Sequence, residues 1–255
     1  MLLRMKWLVP CLVALGAFVQ GPALRGAAEQ APAAQAAPAA RPRPTRPPQF
    51  FSVVWKQREK GGEHPATSIA MNNPNLELTL YGAHTTCMSP EEEVRPPCIQ
   101  ISGNNSPNGD PVNLWNGLAT GPTAATVKDK NNFVDLSVWG RIRWTTRANG
   151  FHSLRPVVKL ADGTAWVADR AEANTMDFVT TEFVLSNLRW LRLDLTKVVT
   201  MNAAPGVGYY EQFRTLDLSR VDEIGYADML PGSGHGAGGW SNLGNFEVYG
   251  VAVKR

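Results

Sequence analysis

Residues 221–250, VDEIGYADMLPGSGHGAGGWSNLGNFEVYG, contain two strand-like runs separated by a loop rich in glycine. Half-buried strands require an apolar side chain at about every second position. Both runs nearly meet that requirement, the second continuing to position 251, with Val221, Ile224, Tyr226, Phe246, Val248 and Val251. The loop gains backbone freedom from its glycines, which are Gly232, Gly234, Gly236, Gly238 and Gly239. The stretch predicts the closing strands of a β-sandwich and carries no enzyme signature.

The amino terminus has the pattern of a secretory signal peptide. Arg4 and Lys6 precede an apolar run of 13 residues at 7–19, and small residues follow up to Ala28. The run is short for a membrane span, which needs roughly 20 residues. We therefore predict a signal peptide over residues 1–28, no membrane span, and a secreted or periplasmic (extracytoplasmic) location.

Residues 29–48 consist mostly of Ala and Pro with a few arginines, a composition that cannot bury a core. We expect a disordered tether, either a plain spacer or a basic patch that touches an anionic cell surface. The first 48 residues hold six of the 25 Lys and Arg but one of the 22 Asp and Glu, which leaves 19 basic and 21 acidic side chains and a net charge of −2. The folded part therefore lacks the basic footprint of a nucleic-acid-binding protein.

Two cysteines, Cys87 and Cys98, remain once the predicted signal peptide is removed. In an oxidising compartment such a pair predicts one disulfide, which would contribute about 3 kcal/mol to stability. The loop that it would close contains Glu91, Glu92 and Glu93. We expect these glutamates to form a solvated turn, with cation binding as the alternative.

Residues 49–255 predict a single all-β domain with no long helical period. Strand-like runs occur at 50–56, 76–81, 99–102, 133–139, 141–147, 154–160, 164–168, 179–185, 188–198, 221–228 and 246–253. Asn149-Gly150 and Asp162-Gly163 are the strongest hairpin signals, because such pairs readily adopt the positive φ angles of tight turns.

Alternation within these runs predicts which side chains face outward. Over residues 188–196 it turns three leucines toward the core and a tryptophan and an arginine outward. The predicted outward face comprises three tryptophans among charged side chains, namely Trp139, Trp166, Trp190, Arg143, Arg155, Arg192, Asp135 and Asp194. Such a face suits carbohydrate, because flat rings stack on sugar C–H groups while charged groups hydrogen-bond the hydroxyls. Alternatively, the tryptophans lie under loops or a covering strand, with arginine stems packed across them.

The glycine-rich loop adds two candidate ligand contacts, His235 and Trp240, at positions where small neighbours leave the backbone accessible. The glycine spacing does not match a P-loop or a dinucleotide fingerprint. The alternative interpretation is that His235 caps local backbone in a structural turn. We therefore predict a binding loop or a structural turn here.

Catalytic patterns are weak. The four histidines are widely spaced, with no pair at metal-ligand spacing, so the sequence gives little support for zinc. Carboxylates that could form the acid and nucleophile pair of a glycosidase are Asp177, Glu182, Asp222, Glu223, Asp228 and Glu247. Most β-rich exported domains carry as many acids, so no catalytic residue is predicted.

The run VDEIGY, followed by a loop and a final FEVYG strand, resembles the galactose-binding-like jelly rolls of exported bacterial proteins over residues 132–255. The resemblance implies an antiparallel two-sheet β-sandwich, often a carbohydrate-binding module and often one that holds a structural calcium ion. No acid of this chain matches a calcium motif. Because folds of this type host several functions, function inferred at this level is analogy.

These observations favour a secreted, non-catalytic module that binds a carbohydrate or another cell-surface polymer. The predicted ligand-binding residues are Trp139, Arg143, Arg155, Trp166, Trp190, Arg192, His235 and Trp240. The alternatives are a secreted carbohydrate-active hydrolase or lyase of jelly-roll fold and a structural envelope protein that binds other proteins.

Overall fold

Two antiparallel β-sheets make up the domain in the computed structural model, which describes residues 46–57, 64–88, 96–201, 208–234, 236 and 238–255. The strands are β1 (Gln49–Val53), β2 (His64–Pro65), β3 (Leu76–Gly82), β4 (Gln100–Ser102), β5 (Asn113–Trp115), β6 (Thr123–Asp129), β7 (Asn132–Asp135), β8 (Arg141–Ala148), β9 (Arg155–Leu160), β10 (Ala165–Ala168), β11 (Val179–Val184), β12 (Trp190–Asp194), β13 (Val199–Thr200), β14 (Val221–Asp228), β15 (Ser241–Tyr249) and β16 (Val251–Lys254). Short 3-10 helices occur at Ser68–Ala70, Leu185–Asn187 and Tyr209–Gln212. The predicted signal peptide and the predicted tether up to residue 45 lie outside the described residues.

The seven-stranded sheet has the order β11-β8-β15-β5-β4-β2, with β1 also paired to β15. The nine-stranded sheet has the order β13-β12-β10-β9-β14-β6-β3, with β7 paired to β14 and β16 to β7. The strand pairs are antiparallel. This arrangement confirms the predicted fold class, an all-β two-sheet β-sandwich of jelly-roll type.

The main core lies between the two sheets. Trp144 of the seven-stranded sheet contacts Phe183 and Phe246 of the same sheet, with ring centroids 5.3 and 6.4 Å apart. The nine-stranded sheet contributes Ile224 and Tyr226 to the same cluster. Burying an aromatic or branched side chain of this kind stabilises the fold by roughly 1.5–3 kcal/mol each.

A second apolar cluster lies on the outer face of the nine-stranded sheet, the face turned away from the seven-stranded sheet. Leu191, Leu193 and Val198 are buried there together with Phe213. Both faces of β12 are therefore covered. The prediction that the leucines of this strand face the inter-sheet core is wrong, because a covering segment buries the outer face as well.

The glycine-rich loop carries the chain from β14 in one sheet to β15 in the other. Gly239 has a φ of +97°, and a Cβ at this position would lie 2.1 Å from the carbonyl oxygen of Asn149. Glycine is needed here because two backbone segments touch. The hairpin predicted at Asn149-Gly150 is wrong, because β8 and β9 belong to different sheets and the turn carries the chain from one sheet to the other. Asp162-Gly163, by contrast, joins the paired strands β9 and β10 as predicted.

Residues 46–48, the end of the predicted tether, dock on the outer face of the seven-stranded sheet. The guanidinium of Arg46 lies 3.8 Å from the centroid of the Tyr249 ring and forms an ion pair with Glu182 at 2.5 Å. The carbonyl oxygen of Pro48 accepts a hydrogen bond from the nitrogen of Gly250. Among the described residues, no helix has the length and apolar character needed to cross a membrane.

Candidate functional site

A cleft of about 390 Å³ lies on the outer face of the nine-stranded sheet. The turn after β12 reaches the end of β3, since a Cβ added to Gly82 would lie 2.6 Å from Cγ2 of Val198. Several strands separate β12 from β3 in the sheet order, so this contact requires the face to be concave. Residues that line the cleft include Tyr81, Lys159, Ala165, Arg192, Asp194 and Met201.

A register shift in β14 places Glu223 on this face. Pairing between β14 and β9 is irregular between Val221 and Glu223. As a result Val221 and Ile224 both enter the core, although they are three positions apart. Strict alternation from Val221 would have turned Glu223 into the core, because one extra residue exchanges the two faces of a strand.

The carboxylate of Glu223 accepts hydrogen bonds from three side chains beneath the cleft. The hydroxyls of Tyr81 and Thr126 donate to Oε2 at 2.8 and 2.5 Å, and Nζ of Lys159 donates to Oε1 at 2.7 Å. Lys159 Nζ also lies 3.4 Å from the Tyr81 hydroxyl. Glu223 is 3% exposed, so these donors compensate for the water that it has lost.

The electrostatics of this cluster fix the protonation of its members. Burial, followed by the hydrogen bond to Glu223 and its charge, raises the pKa of Tyr81 to about 12. Burial alone would raise the pKa of Glu223, but the hydrogen bonds from Lys159, Thr126 and Tyr81 outweigh it and lower that pKa. Burial opposes the charge of Lys159, yet its contacts with Glu223 raise the pKa of the ammonium group. At neutral pH the cluster is therefore a neutral phenol, a carboxylate and an ammonium.

The rim of the cleft is polar and partly held in place by neighbouring side chains. The backbone nitrogen of Thr196 donates to Oδ1 of Asp194 at 2.9 Å. The Arg192 guanidinium lies 5.3 Å from the centroid of the Trp166 ring. Trp166 is half-buried against the inter-sheet core, and its indole nitrogen donates to Oγ1 of Thr164. Of the predicted ligand residues, Arg192 therefore lines this cleft, while Trp166, its partner on the neighbouring strand, contacts the Arg192 guanidinium without lining the cleft.

The predicted aromatic platform is wrong, because Trp166 and Trp190 pack against the inter-sheet core and Trp139 lies outside the strands. Trp190 is 1% exposed and belongs to the inter-sheet core. Trp139 lies in the turn between β7 and β8 instead of a strand, with φ of +58° and 41% exposure. The alternation of β12 was identified correctly, but its two faces were assigned in reverse, since the leucine face is the outer one.

Two predicted arginines lie on opposite faces of the sandwich. Arg155 is on the outer face of the nine-stranded sheet, where its guanidinium donates to the carbonyl oxygens of Ala168 and Asp169 at 3.3 and 3.1 Å. Arg143 is on the outer face of the seven-stranded sheet, with its side chain 47% exposed and 3.7 Å from a carboxylate oxygen of Glu247. No single ligand contacts both faces at once.

The two candidates in the glycine-rich loop remain predictions. Trp240 is half-buried, lies next to the start of β15, and accepts a backbone hydrogen bond from the nitrogen of Asn149. His235 lies outside the described residues.

Two pairs of the candidate carboxylates lack the arrangement of a glycosidase. Glu223 and Asp228 are five positions apart on β14, which separates their backbones by about 17 Å. Glu182 and Glu247 both lie opposite Arg143 in register, on either side of β8. The space between these two carboxylates is therefore occupied by an arginine, where a scissile bond would have to lie.

Asp228 is the centre of a buried polar network that contains a serine and a histidine. Its Oδ2 accepts hydrogen bonds from Nδ2 of Asn116 and Oγ of Ser241, and lies 2.6 Å from Nδ1 of His152. The serine therefore donates to the carboxylate and not to the histidine, which is unlike a nucleophilic triad. With Asp228 at 0% and His152 at 2% exposure, the network joins four chain segments inside the protein.

Cys87 and Cys98 form the predicted disulfide. The three glutamates of the intervening loop lie outside the described residues. Within the described ranges, no group of three or more His, Cys, Asp or Glu side chains comes together as metal ligands. These residues thus supply no side-chain cage for the calcium ion that the resemblance implies, and calcium binding stays a prediction.

Sequence reasoning missed Tyr81 as a site residue. The signal is present in β3, where Leu76, Leu78 and Leu80 face the core and Glu77, Thr79 and Tyr81 face outward. An aromatic side chain at the end of a polar face is the same pattern that was used to select the tryptophans. What the sequence did not give was the buried carboxylate that holds the tyrosine in place.

No protein-family model matches the chain, and no curated protein sequence matches it. Among solved structures, the chain is similar to family 11 carbohydrate-binding modules. One is from the cellulosomal cellulase Lic26A-Cel5E of Clostridium thermocellum, with 16% identity over 75% of this chain and 96% of that chain and a TM-score of 0.39. Another, from Clostridium thermocellum in complex with a β-1,3-1,4-mixed-linked tetrasaccharide, has 17% identity over 76% of this chain and 99% of that chain and a TM-score of 0.38.

Proposed function

We propose that this protein is a secreted, non-catalytic module that binds a carbohydrate chain in the concave cleft of the nine-stranded sheet. The observation that carries the proposal is the position of Tyr81, whose hydroxyl is held by the buried Glu223 while its ring lines the cleft. A ring fixed in this way offers an apolar surface at little entropic cost. Sugar C–H groups stack on such surfaces.

The remaining lining supplies hydrogen-bonding groups for sugar hydroxyls. Lys159, Arg192, Asp194 and Thr196 provide both donors and acceptors around the ring. A volume of about 390 Å³ falls in the range of small-molecule sites, which combine apolar surface with a few placed polar groups. The cleft therefore fits a short segment of a polysaccharide.

The chemistry of Glu223 supports binding over hydrolysis. A glycosidase requires one carboxyl group that donates a proton and a second that attacks or activates water. Glu223 is held as a carboxylate by three donors and its pKa is lowered, so it has no proton to give at neutral pH. Its role in this proposal is to position Tyr81 and Lys159.

The decisive experiment measures binding and sugar release together. The mature protein is screened by affinity electrophoresis against soluble β-1,3-1,4-glucan, xylan and galactomannan, and bound polysaccharides are then titrated by calorimetry while reducing sugars are assayed. We expect binding to at least one polysaccharide without product. Calcium and chelator arms test the predicted ion in the same series.

Substitutions at Tyr81 localise the binding. Tyr81→Ala should weaken the affinity at least about tenfold, because the stacking surface is lost, while Tyr81→Phe should keep most of it. Arg143→Ala on the opposite face is the matched control and should bind like the wild type. Equal affinities for Tyr81→Ala and the wild type would contradict the proposed cleft, and product release would favour a hydrolase or lyase instead.

A further inference from the structure

A second cleft, of about 310 Å³, lies near the end of β8 and the start of β15 in the seven-stranded sheet. It is lined by Arg147, Asn149, Asn174, Thr175, Met176 and Trp240. It shares no lining residue with the cleft that contains Tyr81. The two clefts belong to different sheets, so one bound sugar cannot occupy both.

The charge in this second cleft is neutralised within the protein. The guanidinium of Arg147 donates to both carboxylate oxygens of Asp110, at 2.9 and 2.6 Å, and lies 4.7 Å from the centroid of the Phe178 ring. A two-pronged ion pair of this type is strong and directional. An anionic ligand would have to compete with Asp110, whereas an uncharged ligand would not.

The polar groups that remain available are the side-chain amides of Asn149 and Asn174. Asn149 Oδ1 accepts from the nitrogen of Gly150, and Asn174 Nδ2 donates to the carbonyl oxygen of Gly150. Among the described residues, Nδ2 of Asn149 and Oδ1 of Asn174 have no hydrogen-bond partner. The cleft thus offers an unused amide donor and an unused amide acceptor.

The apolar part of the lining makes the cleft complementary to a sugar ring. Trp240 lines the cleft with a half-buried indole ring, and Met176 is 94% exposed beside it. An aromatic surface next to uncharged hydrogen-bonding groups matches a pyranose, which has apolar C–H faces and a hydroxyl edge.

We infer that this second cleft binds a neutral sugar residue independently of the first cleft, so that one domain holds two glycan segments at once. The inference shares only its ligand class with the proposed function. A monomer with two such sites cross-links soluble polysaccharide, whereas a monomer with one site does not.

The test follows the indole N–H resonance of Trp240 and the side-chain amides of Asn149 and Asn174 by NMR. The mature protein is titrated with glucose, galactose, mannose and N-acetylglucosamine, and with glucuronate as the charged probe. We expect saturable shifts with at least one neutral sugar and weaker ones with glucuronate. The shifts should persist in Tyr81→Ala.

Two variants keep the test independent of folding. Trp240→Ala should weaken the sugar affinity at least about tenfold, and Met176→Ala should weaken it several-fold without a folding cost because the side chain is exposed. Phe151→Ala, at an 87% exposed aromatic residue that does not line the cleft, is the matched control and should change nothing.

The outcomes separate the two proposals. Absence of shifts at Trp240 with every sugar, or their loss in Tyr81→Ala, would overturn the second site while leaving the first in place if polysaccharide still binds there. If the Trp240 resonance shifts and Tyr81→Ala binds polysaccharide as tightly as the wild type, the second site is supported and the first is overturned.

Discussion

Glu223 illustrates how a single carboxylate positions residues that line a cleft without lining the cleft itself. It accepts hydrogen bonds from Tyr81, Thr126 and Lys159, and each donor comes from a different strand. Burial raises the cost of a missing partner, so loss of the carboxylate would leave Lys159 uncompensated. The residue therefore couples the stability of the sheet to the shape of the cleft.

Glu223→Gln should lower the free energy of unfolding at neutral pH by about 2 kcal/mol, because the ion pair with Lys159 is lost. The pKa of Glu223 is lower in the folded than in the unfolded state, so its contribution is present above the ordinary carboxyl pKa and is lost as the pH falls through the folded value. Urea unfolding at a series of pH values from neutral to acidic should thus show a smaller decrease in the free energy of unfolding for the variant than for the wild type.

The control is Glu247→Gln, which makes the same change in net charge on the opposite face. Its acid-side slope should follow that of the wild type. A Glu223→Gln slope as steep as that of the wild type would contradict a role for Glu223 in acid sensitivity.

For individual residues, the sequence predicted which arginines face outward but not which aromatic side chains lie beside them. Arg143 and Arg155 face outward as alternation predicts. Trp190 was assigned to the outside because its strand neighbours are charged, yet it fills the core. Alternation gives two faces and cannot tell which is inner when both are covered.

Among the elements, the loop between β14 and β15 has the most demanding backbone. Gly239 combines a positive φ with a contact at which a Cβ would meet the Asn149 carbonyl oxygen. Gly163, in the turn between β9 and β10, also has a positive φ, of +82°, but a Cβ there would meet nothing within 4 Å. A comparison of Gly163 with Gly239 therefore distinguishes the cost of a positive φ from the cost of a steric clash.

Gly163→Ala should destabilise the protein by about 1–2 kcal/mol, the cost of a left-handed backbone for a residue with a Cβ. Gly239→Ala should exceed that loss by at least about 1 kcal/mol, because backbone atoms must also move apart. Thermal and urea unfolding of both variants measures the difference. Equal losses would show that the loop relaxes without cost.

The sequence located β14 within its bounds, but the strand predicted at 246–253 is wrong, because it spans the end of β15 and most of β16, which belong to different sheets. The sequence missed β6, whose sequence TAATVKD is rich in alanine and threonine instead of large apolar side chains. Small residues suit this strand because it lies in the sheet between β14 and β3, under a concave face. The bulge at Val221 and Glu223 also left no sequence signal.

For the whole molecule, stability depends on two sheets with a shared core and on one covalent link. The disulfide between Cys87 and Cys98 should contribute about 3 kcal/mol by restricting the unfolded chain. A reductant should therefore lower the urea midpoint of the wild type. The double variant Cys87→Ser, Cys98→Ser should start at the lower midpoint and not respond to reductant, and a wild type that also fails to respond would contradict the estimate.

The contacts of Arg46 and Pro48 determine the side of the sandwich at which the preceding chain joins the domain. These residues attach the preceding chain to the seven-stranded sheet, while the cleft with Tyr81 opens on the far side of the sandwich. A force transmitted through Arg46 would therefore enter the domain on the side opposite the mouth of the cleft. A polymer in the proposed cleft would meet no steric conflict with Arg46 or Pro48.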